Sequence, residues 1–115
     1  MSKEVQRGLQ AVIPARILNT EDKPFSPVGA AAPKITRVLV NGQDATDTVA
    51  ASIAAQLAGD GTEITGHYNI TVATSTLQYN DQVQVYAETT VEGAMLELVK
   101  EFTVSNDASR MPKFI

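Results

Sequence analysis

The chain contains no cysteine and no tryptophan, a single histidine, and only three phenylalanines and three tyrosines in 115 residues. Without cysteine neither a disulfide framework nor a thiolate metal site can form. With so few aromatics, the core has to be built from Val, Ile, Leu and Ala. No stretch approaches the roughly 20 apolar residues that span a bilayer. Residues 9–18 are apolar only in part, broken by Gln10, Pro14 and Arg16, and do not resemble a secretory signal. The expectation is a chain made and assembled in a cytoplasm-like compartment, with no membrane partner.

The length suits one domain and one core. A hydrophobic content of 43% is ordinary for a globular protein and argues against wholesale disorder. The net charge of −4 is unevenly spread. Residues 1–40 hold six basic and three acidic side chains, whereas residues 41–109 hold Lys100 against ten acidic ones; Arg110 and Lys113 follow. A basic arm, an acidic body and a basic tail favour head-to-tail contacts between copies or neighbours. The acidic body excludes nucleic acid as its ligand, since polyanion binding wants a basic face with stacking aromatics. Lys3, Arg7 and Arg16 could touch a polyanion.

Residues 1–8 are polar and aperiodic and read as an N-terminal arm. From Leu9 the pattern alternates with period two, placing Ala11, Ile13, Ala15 and Ile17 on one face of a strand. Pro14 lacks a ladder donor and assigns that strand to a sheet edge. Residues 19–24 form a turn and 25–33 an extended connection. Lys34–Val40 is a β-branched run closed by Asn41-Gly42, the strongest short hairpin signal in the chain. Thr46–Leu57 fits two patterns. Val49, Ile53 and Leu57 have helical spacing, with Asp47 as cap and Gly59 as stop; the same segment also alternates as a strand. Later strands cover 67–73, 82–91 and 94–104, the last two joined by a tight Glu92-Gly93 turn. Lys100 on the apolar face of the last strand marks an exposed end or an edge-protecting charge. The expected core centre is Tyr68, Ile70, Val72, Val83, Val85, Leu96, Leu98 and Phe102. Strands at this spacing describe an all-β antiparallel sandwich over residues 9–104 with extended N- and C-terminal arms, and at most one short helix. The C-terminal arm, 105–115, lacks periodicity and ends in Met111, Phe114 and Ile115.

Chemistry is sparse. His67 is not accompanied by a nucleophile elbow at any serine. Asp44, Asp47, Asp60, Glu63 and Asp81 lie in or beside turns, where carboxylates converging from several loops hold calcium, yet no segment matches an EF-hand loop. Asp and Asn are favoured in turns for their own backbone hydrogen bonds. In Gly59-Asp60-Gly61 a negative charge stands where a phosphate would sit. The expectation is a protein that is not an enzyme and uses no cofactor or metal.

Gly66-His67-Tyr68-Asn69-Ile70-Thr71-Val72, followed by Tyr79-Asn80-Asp81-Gln82-Val83-Gln84-Val85 and the Gly93 turn, resembles a pattern of small immunoglobulin-like modules in tailed-bacteriophage virions. That pattern runs G-x-Y-x-(I/V)-x-(V/L), then (G/N)-D-x-(V/I)-x-(V/L). Residues 21–25 and Ile35 to Gly42 are similar to the opening of those modules. The resemblance implies an immunoglobulin-like fold and a virion setting, assembled in the host cytoplasm, and carries over no functional residues. A capsid decoration or cement protein is the expectation, with a tail, collar or fibre adaptor as the alternative and a carbohydrate-binding sandwich as the alternative from another class. Its partners would be capsid or other virion proteins, in a homo-oligomer or symmetric lattice. Met111, Phe114 and Ile115, flanked by Arg110 and Lys113, are the candidate docking residues, with Lys3 and Arg7 at the other end.

Overall fold

The computed structural model describes residues 3–6 and 10–105. These form eight strands: β1 (Lys3–Gln6), β2 (Ala11–Arg16), β3 (Lys34–Val40), β4 (Gln43–Asp44), β5 (Ala51–Leu57), β6 (Glu63–Val72), β7 (Gln82–Val91) and β8 (Ala94–Ser105). One sheet has the order β1-β8-β7-β3-β4 and the other β2-β6-β5. Every pairing is antiparallel except that of β1 with β8. The two sheets face each other as a β-sandwich. Lys3–Gln6, expected within the N-terminal arm, are therefore a strand.

The smaller sheet shows how a core poor in aromatics is filled. Register places Ala11, Val72 and Ala51 in one row, Ile13, Ile70 and Ile53 in the next, and Ala15, Tyr68 and Ala55 in the third. The single large ring of Tyr68 is flanked by alanines, the smallest side chains available beside it. Val83, Val85, Phe102 and Val104 of the facing sheet are fully buried against them, as are Ile17 and Val38. Pro14 sits on an edge strand, where its missing N–H costs no ladder bond.

Both hairpin signals close turns with two consecutive left-handed residues. Asn41 and Gly42 have φ of 54° and 83°, and Glu92 and Gly93 have 50° and 83°. Positive φ at both central positions matches the twist of the flanking strands. In Thr46–Leu57 the strand pattern prevails from Ala51 onward. The helical pattern survives as one turn, with Val49 N–H donating to the Ala45 carbonyl (3.0 Å) while the chain crosses from one sheet to the other. Ile53 pairing with Ile70 commits the rest to the ladder. Among the described residues the only helical segment is a 3₁₀ turn at Gly29–Ala31.

Leu96, expected in the core centre, is 37% exposed, and Leu98 is half-buried. The β7–β8 hairpin, with strands of 10 and 12 residues, outruns the edge strands of the opposite sheet, which have six and seven. The 19–33 connection packs along its β7 side. There the Thr89 hydroxyl donates to the Ala31 carbonyl (2.7 Å), and Thr20 binds the Glu92 carboxylate through its amide and hydroxyl. β1 pairs only with Phe102–Ser105, so β8 is an open edge up to Glu101, and Lys100 stands at its end. That is the position of an edge-protecting charge.

Candidate functional site

A groove of about 510 Å³ lies at one end of the sandwich, between the β3–β4 turn, the β4–β5 crossing and the β6–β7 loop. Its floor is Val40, Ala45, Val49 and Leu77, and its rim carries Gln43, Thr76 and Gln78. Asn41 ties two of the loops together. Its backbone N–H donates to the Gln82 carbonyl (2.8 Å), its side-chain oxygen accepts the Gln82 N–H (2.9 Å), and its Nδ2 donates to Asp81 Oδ1 (2.9 Å). Asp81 Oδ2 in turn accepts the Gln78 N–H at 2.8 Å. Asp81 thus closes the β6–β7 loop on itself while holding the β3–β4 turn.

Asp44, on the same rim, accepts from the hydroxyl (2.6 Å) and amide (2.9 Å) of Thr46. The hydroxyl bond first, then the amide bond, lowers its pKa from the ordinary carboxylate value. Asp60 repeats the motif with Thr62 in the β5–β6 turn, outside the groove, and its pKa is lowered for the same reasons. Of the five carboxylates considered for calcium, the structure brings only Asp44 and Asp81 to one concavity. Among the described residues no group of three or more His, Asp or Glu side chains could hold a metal ion. His67 lies on the outer face of the small sheet, beside Arg16 in register, with Nδ1 3.0 Å from the Thr65 carbonyl.

The outer faces differ. On the larger sheet, Arg37 stacks over the Tyr86 ring at 4.3 Å, with Val99 next in register. Lys34, Glu88 and Glu97 form the neighbouring row, and Glu101 accepts from Gln84 (3.3 Å). The outer face of the smaller sheet carries Val12, Pro14, Ser52, Ala54, Asn69 and Thr71, with Arg16 and His67 at one end.

Of the expected docking residues, Arg7, Arg110, Met111, Lys113, Phe114 and Ile115 lie outside the described residues. The backbone of Lys3 pairs with Phe102 at the start of β1. The groove went unseen in the sequence because three distant segments build it; only the turn residues Asn41, Asp44 and Asp81 signalled its parts. Among the described residues, no helix is long and apolar enough to cross a membrane. No family model matches the chain, and neither the curated proteins nor the solved structures yielded a match.

Proposed function

We propose that this protein is a structural component of a tailed-bacteriophage particle, a decoration or cement protein that binds neighbouring virion subunits through its sandwich and terminal arms. The observation that supports the reading is where the family-like motif falls. Gly66 is the close-packed entry to the central run of β6, Tyr68 fills the core, and Asp81 closes the turn into β7. These three motif residues hold the architecture. The strand order, β2-β6-β5 in one sheet and β1-β8-β7-β3-β4 in the other, supports the immunoglobulin-like part of that reading. Function then falls to faces, edges and arms, in keeping with a protein whose work is adhesion.

The test is add-back. Purified chain is mixed with particles lacking it, and bound copies are counted for full-length protein and for a truncation without residues 111–115. Full-length chain binds saturably. The truncation binds with lower occupancy and washes off at lower salt, because an apolar strap contributes one contact among several. Equal occupancy and equal salt resistance would remove the tail from the binding account.

A second reading, a carbohydrate-binding sandwich, is favoured by the end groove alone, where amides and hydroxyls ring an apolar floor. It predicts saturable binding of a saccharide that Gln78→Ala and Gln43→Ala weaken without changing the melting temperature.

A further inference from the structure

The two edges of the small sheet are finished differently. β2 carries Pro14 and Arg16, and its inward residues Ala11, Ile13 and Ala15 are buried. β5, the opposite edge, has inward residues Ala51, Ile53 and Ala55 that remain half-buried. Ile53 stands directly opposite Ile70, which is completely buried, in the central row of the core. The core is therefore sealed on the β2 side and incomplete on the β5 side.

β5 also lacks every device that normally blunts an edge over its first five residues. It is the one described strand with no charged side chain, and from Val49 to Ala58 the sequence holds no charge, no glycine and no proline. The other open edge, β8 from Ala94 to Glu101, carries Glu97, Lys100 and Glu101. β4 is only two residues long. Residues Ala51–Ala55 keep unbroken register with β6; the irregularity comes only between Ala55 and Leu57. A regular, uncharged edge is a template for another strand.

The charge pattern selects the occupant. When two identical strands pair antiparallel about a two-fold axis, a charge close to the axis lies near its own copy and repels it. The body of this chain is strongly acidic, so most of its surface would oppose such pairing, and β5 is the stretch where no like charges meet. Alanine at positions 51, 54 and 55 keeps the approach free of bulk on both faces. We propose that the protein forms a two-fold dimer by antiparallel β5–β5 pairing, continuing the small sheets of two copies into one six-stranded sheet. The paired strand covers Ile53 from the open side, and the exposed Leu57 of each copy, 62% accessible, is carried into the contact. This refines the homo-oligomer within the proposed function, but it is a property of the isolated chain and stands or falls separately from particle binding.

The experiment is sedimentation equilibrium on the full chain, from micromolar to millimolar concentration, with hydrogen exchange followed across the same range. The wild type shows a reversible monomer–dimer equilibrium, and β5 amides become more protected as concentration rises. Ser52→Lys with Ala54→Lys, both exposed on the outer face, raises the dissociation constant about tenfold or more through like-charge contact, with melting of the monomer unchanged. The matching double glutamate variant behaves the same way, and mixing the two restores a heterodimer. A wild type that stays monomeric up to about 1 mM, unchanged β5 protection, or a lysine variant that dimerises like the wild type would overturn the proposal.

Discussion

Gly66→Ala is the substitution whose cost can be worked most directly from the structure. Gly66 has φ +75°, a left-handed conformation that an alanine adopts with strain, and it sits where β6 passes under the end of β2. A Cβ there would stand 2.8 Å from the Ile17 carbonyl oxygen, 2.8 Å from the Phe25 nitrogen and 2.9 Å from the Pro24 Cα. All three are backbone atoms, so no flexible side chain can give way. They also belong to a bonded knot. Ile17 N–H donates to the Gly66 carbonyl (2.8 Å), Phe25 N–H donates to the Ile17 carbonyl (3.0 Å), and Gly66 N–H donates to the Ser26 hydroxyl (2.8 Å). Left-handed strain at a non-glycine costs about 1–3 kcal/mol. Forcing an extra methyl into a packed site costs a further ~1–3 kcal/mol. The sum, about 2–6 kcal/mol, is a large part of a domain's usual ~5–15 kcal/mol. Gly59→Ala is the control, since Gly59 has no positive φ and its Cβ would meet nothing within 4 Å. Urea unfolding of both variants supplies the comparison. Gly59→Ala should fall within about 0.5 kcal/mol of wild type, with Gly66→Ala lower by the amount above. A Gly66→Ala midpoint indistinguishable from wild type would refute the reasoning about this crossing.

Val83 is fully buried, with Val40 and Phe102 as its cross-strand partners, so Val83→Asp leaves an unpaired charge in the core at about 3–5 kcal/mol; far-UV circular dichroism should show an unfolded or marginally folded chain, and a wild-type melting curve would mean that the strand faces are reversed. Asp60 should titrate below 3.8 in carboxyl-detected NMR, and Thr62→Val should return it towards that value by removing the leading hydrogen bond. The sign follows from the depressed folded-state pKa: the contribution is complete above 3.8 and fades as pH falls through the folded value. Thr62→Val should therefore flatten the acid limb of the stability curve, and an Asp60 titration unmoved by the substitution would count against the hydrogen bond as its cause.

Much of the architecture was legible because period-two alternation and turn chemistry agreed. The faces of β2, β6 and β7 and both two-residue hairpins follow from residue order alone, since a one-residue slip would expose the whole buried set. Three features depended on what lies across the sandwich. Leu96 has a core-like pattern, but no opposite strand reaches it. Thr46–Leu57 satisfies two periodicities, and only pairing with β6 decides between them. Lys3–Gln6, too short and polar to announce a strand, gains its ladder from the far end of the chain. The carboxylates likewise show their roles only in three dimensions. Asp44 and Asp60 serve their own threonine turns, and Asp81 joins two loops that are 40 residues apart in sequence. The groove and the unsealed β5 edge are products of assembly and leave little trace in the sequence.

The central claim, that the chain is a structural part of a phage particle, is tested most directly by locating it. Tailed-phage particles from a lysate that contains the chain are separated into heads and tails by density gradient, and the chain is quantified in each fraction by mass spectrometry against the major capsid protein. The account predicts that the chain sediments with heads at a fixed, symmetry-related ratio to the capsid protein. Its recovery only in the soluble fraction, with heads and tails both free of it, would contradict the account.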